Sequence, residues 1–390
     1  MGFLRRIFQG LIKFVFKIIF IINPNQKFNK NGIVLPDEPV LFLCNHQNNF
    51  DAIRLRVQNK RRIVFVAHDE LYRNKFFKWV ASNLIDTVCR GSGKNDIGYI
   101  KELFRAKKNG LSIGIYPEGG INYFNKSTPF DSGTAKLCKK LNMPIVLVSV
   151  NGGSFITPRW AKHKAKCVLE YNYQRLITKE EVENLSVEEL DNEIKKYIFV
   201  NDYDWQRKNM VEIKRKDSAV HLERALFVCP NCKSLHTIST SKNKILCSNC
   251  LSEIILDKFD FVQGAGEIDD LVKWDEFQYS TLESIVKNKS TDEILLEYKD
   301  VTFNNTKIKE YFKKGNEIQG DLILYKDKII FKTNNNETIY KTHDISNIYV
   351  EFKNTLQFNH IEERIRITDD NFYAYVWVTY LRVLNKISTE

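Results

Sequence analysis

Between Phe3 and Ile22 the polar positions Arg5, Arg6, Gln9, Lys13 and Lys17 return about every four residues, with Phe, Leu, Ile and Val filling most of the rest. That is helical spacing, and it predicts an apolar helix with one basic stripe. Further on the pattern changes. Short β-branched runs alternate with longer segments, the mark of an α/β domain in which strands feed loops. The predicted strands are 40–45, 62–68, 111–116, 144–150 and 166–172. Residues 96–109 and 133–142 read as helices, the second opening after Ser132-Gly133 and closing where Pro144 forbids continuation. Residues 178–209 turn acidic and then basic and predict a helical tail. Beyond a cysteine-rich stretch, 257–290 reads as helix, 293–368 as alternating strands with Asn- and Lys-rich turns, and 371–385 as an apolar amphipathic helix.

A chain of 390 residues exceeds one ordinary core, so two or three domains are expected. Its 43% hydrophobic and 27% charged content excludes general disorder. The net charge of +11 argues for an anionic neighbour, either a phospholipid surface or nucleic acid. Residues 1–36 carry six Lys or Arg and no acidic side chain, which places part of the excess on the apolar arm. A spanning helix needs about 20 mostly uncharged residues, and the cations of this segment favour lying in the membrane interface instead. A tilted span and packing on protein are the alternatives. Eight cysteines without a cleavable leader pattern suggest a reducing compartment, hence the cytoplasmic face of the cell membrane.

The strand VLFLCN runs directly into HQNNFDAIRL, leaving His46 and Asp51 just past a strand end. A five-residue offset puts the pair on different faces of a continuous helix. They can meet only if a turn folds the residues between. If they do, the carboxylate holds one imidazole nitrogen in N–H form and leaves the other free to take a proton from a hydroxyl. Taken alone, an H-x4-D string occurs often by chance, with Asp51 capping a helix and His46 in polar loop. A second segment ends a strand in Pro117-Glu118-Gly119-Gly120, where glycines allow close backbone approach to a ligand and expose N–H groups to an anion. By itself that is also an ordinary turn.

Together these segments resemble the lysophosphatidic acid/glycerol-3-phosphate acyltransferase family. NHQNNFD resembles its N-H-x4-D block, IDTVCRGSGK its arginine-bearing second block, YPEGG its F-P-E-G block and MPIVLVSVNG its final block, over residues 35–175. The resemblance implies an α/β acyltransferase domain with a central mixed sheet. It makes His46 the general base and Asp51 its orienting partner, and places Arg90, Glu118, Gly119 and Gly120 in substrate binding. Acyl-CoA or acyl-carrier protein would supply the acyl group to a lysophospholipid. The family usually continues E-G-T-R, whereas here Gly120 is followed by Ile121, so one phosphate-binding arginine is missing. Cys44, beside the base, reads as a small buried hydrophobe and not a nucleophile.

Cys229-x2-Cys232 and Cys247-x2-Cys250, fourteen residues apart, have the spacing of a zinc ribbon, and four cysteines imply a closed structural zinc site. His236, between the pairs, reads as a solvated residue. Residues 291–390 resemble a pleckstrin-homology or GRAM-type module by pattern, with Lys313, Lys314 and Lys326 as headgroup contacts. Trp274 and Trp377 read as core. The expected organisation is an interface helix over 1–25, an acyltransferase domain over 26–215, a zinc ribbon over 216–255, a helical linker over 256–290 and a mainly-β module over 291–390. The expected function is acyl transfer to lipid in phospholipid biosynthesis or remodelling, with no nucleic acid partner. The alternatives are an inert lipid-binding adaptor and a nucleic-acid-binding ribbon protein.

Overall fold

The computed structural model describes residues 10, 14, 15, 18, 25–73, 75–81, 86–91, 97–310 and 315–389. Most of the arm expected over 1–25, and Lys313 and Lys314, lie outside the described residues. Among the described residues no helix is long and apolar enough to cross a membrane. The chain divides into two units, Met1–Pro158 with Ala165–Lys214, and Arg159–Lys164 with Arg215–Glu390.

The first unit is built on seven strands: β1 (Gln26–Asn29), β2 (Leu41–Cys44), β3 (Ile63–His68), β4 (Thr87–Arg90), β5 (Ser112–Ile115), β6 (Ile145–Asn151) and β7 (Leu169–Ile177). They form a mixed sheet in the order β1-β7-β6-β2-β5-β3-β4. Strands β6, β2, β5, β3 and β4 run parallel, while β7 is antiparallel to β6. Both faces are apolar, which explains why β2 reads as an unbroken hydrophobic run. Leu41 and Leu43 join one core cluster with Leu103, Leu137, Leu141 and Ile194 from helices Ile97–Lys108, Gly133–Leu141 and Val187–Ile198. Phe42 and Cys44 point the other way, into a cluster with Phe65, Val148 and Leu55 of helix Asp51–Gln58. Cys44 is thus a core thiol, as its apolar strand implies.

Because these five strands are parallel, their carboxyl ends lie along one edge of the sheet, where loops of α/β folds hold ligands. The helices on the first face start and stop where local chemistry directs. Thr178 with Glu181, and Ser186 with Glu189, form reciprocal capping boxes that open Lys179–Asn184 and Val187–Ile198. Helix Gly133–Leu141 closes at Asn142, left-handed at φ 45°, ahead of Pro144. The tail expected over 178–209 is three helices, ending with Asp202–Asn209. β7 begins later than the pattern indicated, at Leu169 where pairing with β1 starts, is joined by β6 from Glu170 and continues to Ile177; Cys167 is buried too but precedes the pairing. The short edge strand β4 had no alternation long enough to reveal it.

In the second unit, β8 (Ile238–Ser241), β9 (Lys244–Cys247), β10 (Glu253–Leu256) and β11 (Val262–Gln263) make an antiparallel sheet in the order β11-β10-β9-β8. The helix expected over 257–290 spans only Leu271–Lys287. Asp257 draws the backbone N–H groups of Phe259 (2.8 Å) and Phe261 (2.9 Å) into a turn, and Asp270 caps the true start by accepting Lys273 N–H at 2.7 Å. Trp274 is buried and its indole N–H donates to Val228 at 2.9 Å. Seven further strands, β12 (Leu296–Lys307), β13 (Glu317–Leu324), β14 (Lys328–Lys332), β15 (Glu337–Lys341), β16 (Ile345–Glu351), β17 (Thr355–His360) and β18 (Glu363–Thr368), pair antiparallel in the order β15-β14-β13-β12-β18-β17-β16. The long β12 carries a register shift between Tyr298 and Val301, with Asp300 at φ 57°, so that it bends and serves neighbours on both sides. Helix Ala374–Thr389 packs on β16 and β17, burying Trp377. Lys326 is engaged by the carbonyls of Lys287 and Lys289, both at 3.1 Å.

Candidate active site and thiolate cluster

The turn that His46 and Asp51 require is present. Asp51 N–H donates to the Asn48 carbonyl at 3.0 Å. The Asp51 carboxylate folds back over the loop, where Oδ2 accepts the N–H groups of Gln47 (2.9 Å) and Asn48 (2.8 Å). The same oxygen lies 3.1 Å from His46 Nδ1. Asp51 is therefore no cap of its own helix; it organises the loop before it. Its other oxygen accepts the Tyr171 hydroxyl at 2.7 Å, with Arg54 Nη1 3.7 Å away. Burial works to raise the Asp51 carboxyl, but the hydrogen bond and charge of His46, the charge of Arg54 and the Tyr171 bond outweigh it and hold it below its ordinary value. Asp51 has no exposed side-chain surface, whereas the His46 side chain is 22% exposed. With Nδ1 committed to the buried carboxylate, Nε2 is the atom left to face a substrate.

The loop after β5 braces this pair. The His46 ring stacks on Tyr116 with centroids 4.4 Å apart. Glu118 accepts the backbone N–H of His46 on one oxygen and that of Thr128 on the other, each at 2.7 Å. Both carboxylate oxygens thus tie together two loops at the sheet edge. Burial pushes the Glu118 carboxyl up to about 8 even though the His46, Thr128 and Ser127 hydrogen bonds pull it down. Asn45, one residue before the histidine, clamps Val150 with a donated bond of 2.8 Å and an accepted bond of 2.6 Å, fixing β2 against β6. Gln47 accepts Gly153 N–H at 2.9 Å, and Asn48 accepts Arg54 at 3.1 Å.

Gly119 has φ +72° and donates to the Tyr116 carbonyl at 3.1 Å, a left-handed turn that favours glycine. Gly120 has open space around it. Both are exposed beside Glu118. Arg90 ends β4, three strands from β2, or about 14 Å across the sheet at roughly 4.8 Å per strand. Its guanidinium lies over Tyr99, 5.7 Å from the ring centroid. The fold therefore brings His46, Asp51, Glu118, Gly119 and Gly120 together and sets Arg90 apart on the same edge. Tyr171, Arg54, Tyr116 and Thr128 escaped the sequence reading. Tyr171 stands 120 positions from its partner Asp51 and looks like any inward strand aromatic.

In the second unit, the four cysteines converge. Cys229, Cys232, Cys247 and Cys250 have their sulfurs all within 4.8 Å of one another. Cys229 and Cys250 are 3.8 Å apart, and Cys232 and Cys247 3.7 Å. A disulfide needs about 2.05 Å. Four sulfurs at about 2.3 Å from a tetrahedral zinc would be separated by about 3.8 Å, so the arrangement fits that ion. The two turns repeat one hydrogen-bond pattern: Lys233 donates to Cys229 at 2.9 Å and Leu251 to Cys247 at 3.0 Å, with both donors in the left-handed region. Burial raises the Cys247 thiol, but donors led by Thr237 overcome it and bring it to about 5. Ser234 and Asn249 lower Cys232 to about 7. At Cys232 and Cys247 such donors favour the thiolate form that metals bind, whereas burial pushes the Cys229 thiol up to about 12. His236 is not among these residues. Its ring stacks on Phe227 and its Nε2 lies 3.0 Å from the Tyr380 hydroxyl, while the residue stays exposed, as expected of a loop histidine.

Residues 25–151 match the family named Acyltransferase. The 1-acyl-sn-glycerol-3-phosphate acyltransferase of Haemophilus influenzae is 28% identical over 133 residues, covering 33% of this chain and 55% of that protein. The probable 1-acyl-sn-glycerol-3-phosphate acyltransferase of Mycoplasma genitalium is 29% identical over 131 residues, covering 31% and 47%. The chain thus spans about half the length of these relatives. A crystal structure of the 1-acyl-sn-glycerophosphate acyltransferase of Thermotoga maritima aligns with 17% identity and a TM-score of 0.43, covering 52% of this chain and 80% of that one. The segment that carries the His46–Asp51 pair on its mixed sheet thus matches the Acyltransferase family model and is similar to 1-acyl-sn-glycerol-3-phosphate acyltransferases over that stretch.

Proposed function

We propose that the chain is an O-acyltransferase that moves a fatty acyl group from an acyl thioester to a hydroxyl of a lysophospholipid or glycerol-phosphate-type acceptor at a membrane surface. The observation that carries this reading is the His46 Nδ1–Asp51 Oδ2 pairing at 3.1 Å, which leaves Nε2 as a base. In this reaction Nε2 takes the acceptor hydroxyl proton while the oxygen attacks the thioester carbonyl. The C–O bond forms, the C–S bond breaks, and the proton passes to the departing thiolate. Positioned base catalysis of this kind supplies about 100- to 10,000-fold. No acyl-enzyme is needed, and buried Cys44, its thiol pushed well up by burial, is a poor nucleophile.

Glu118 is assigned to positioning, since its oxygens are occupied by backbone N–H groups. Gly119 and Gly120 let substrate approach the loop. Arg90 is assigned to the far end of a bound substrate, where a guanidinium suits phosphate. The thiolate cluster is assigned a structural zinc, and the basic N-terminal arm to peripheral contact with anionic lipid on the cytoplasmic face. The division into 26–215, 216–255, 256–290 and 291–390 is proposed with it. The decisive experiment incubates purified protein and its His46→Ala variant with labelled acyl-CoA or acyl-carrier protein and a panel of lysolipids, followed by product mass analysis. Wild-type transfer that the variant loses, with unchanged folding, supports the assignment. Near wild-type turnover in the variant removes the mechanism, and no transfer by either leaves the inert lipid-binding reading in its place.

A further inference from the structure

Two polar groups in the loop that braces His46 lack a hydrogen-bond partner among the described residues: the Tyr116 hydroxyl and both ends of the Asn122 carboxamide. Asn122 is the sharper case. It is only 4% exposed and stands two residues after the exposed Gly119-Gly120 pair. Its backbone N–H donates to the His46 carbonyl at 3.4 Å. By covalent reach its carboxamide then lies within about 8 Å of that oxygen. Leaving an amide buried and unpaired is costly, so each such group calls for a partner, an ordered water or another molecule.

The pairing demand of this side chain restricts what completes it. A carboxamide offers an N–H₂ donor and a carbonyl acceptor side by side. An ionised phosphate or carboxylate satisfies the donor but turns its own lone pairs on Oδ1. A hydroxyl both donates and accepts, and the N–H of one amide with the C=O of another supplies the same two partners, so either chemistry can satisfy the two ends. The preceding residue, Ile121, adds no cation to favour an anion.

We propose that Asn122 is a substrate-contacting residue that pairs a neutral hydroxyl or amide of the substrate and not its phosphate. This rests on the acyl-transfer reading, which supplies two sources of that chemistry: the acceptor hydroxyl, and the amides of the pantetheine arm in a coenzyme A or carrier-protein donor. The test uses full-length Asn122→Leu, close in shape but apolar, with Asn122→Ala as a second variant should the first not fold. Equilibrium binding is measured in detergent micelles for 1-oleoyl-lysophosphatidic acid, its analogue lacking the free 2-hydroxyl, and coenzyme A. Loss of two neutral hydrogen bonds in a dry site predicts weakening of about 10- to 100-fold for one probe. A loss seen with lysophosphatidic acid but absent with the deoxy analogue assigns the acceptor hydroxyl; a loss seen with coenzyme A assigns the pantetheine amides. Dissociation constants unchanged within about twofold, an equal loss with the deoxy analogue, or no binding of any probe by the wild type overturns the proposal. Turnover is followed in parallel. Protein that binds as expected without transferring acyl groups refutes the acyl-transfer reading while the Asn122 contact stands.

Discussion

Replacing Asp51 by asparagine tests the site at its centre, because the geometry dictates which way the new amide must turn. Oδ2 faces three donors, the N–H groups of Gln47 and Asn48 and the His46 ring nitrogen, so the amide NH₂ cannot sit there. It must take the Oδ1 position, where the Tyr171 hydroxyl, 2.7 Å away, can rotate to accept. The remaining carbonyl oxygen still holds His46 Nδ1–H, so the imidazole keeps its tautomer and orientation. What vanishes is the negative charge that stabilises the imidazolium formed as the acceptor loses its proton. Two unit charges about 4 Å apart at an effective dielectric of about 20 interact by about 4 kcal/mol, or roughly three decades of rate. The expected result is a kcat lowered by up to about 1,000-fold with KM for the acceptor little changed and the fold intact. Thiol release from an acyl thioester measures the rate, and thermal unfolding measures integrity. A folded variant within about threefold of wild-type turnover refutes the base-and-orienter assignment. Combining the change with His46→Ala should add almost nothing, since the two act as one unit.

Glu118 titrates near 4.5 in the unfolded chain, whereas burial pushes it to about 8 in the folded one. Between those values the folded state holds a proton that the unfolded chain has released, so stability falls as pH rises through that window. Glu118→Gln removes this contribution, and urea unfolding at several pH values should show a flatter profile; an unchanged slope counts against it. The thiolate cluster predicts about one zinc per chain by metal analysis, with Cys229→Ser or a strong chelator lowering the melting temperature of protein carrying it. Metal-free protein of equal stability would contradict that. Deleting residues 1–24 should release the chain from anionic liposomes in a sedimentation assay, and more weakly so at high salt; undiminished binding would refute the interface role.

Much of this protein was readable without coordinates because its signals are local. The apolar run of β2 followed by His46 announces a strand end carrying polar chemistry, since the period and its interruption lie within a dozen residues. The Cys-x2-Cys pairs announce their cluster for the same reason: each turn is made by consecutive residues, and only the meeting of the two turns is left to the fold. Capping boxes at Thr178 and Ser186 are also local, four residues each, yet reading 178–209 as one helical tail passed over them. Where a side chain redirects its own backbone, as Asp257 does, periodicity misplaced the helix start.

What pattern could not supply are partners brought together across the sheet. Glu118 looked like a residue for substrate, but its two oxygens are taken by backbone N–H groups of His46, 72 positions away, and of Thr128. Tyr171 reaches Asp51 only because β7 turns antiparallel beside β6 and places Tyr171 opposite Val150. Arg90 stood close to the other blocks in the order of motifs, yet strand order set it three strands away. Chain order says which residues are available. Strand order and burial decide which atoms meet, and whether a carboxylate meets a substrate or another part of the backbone.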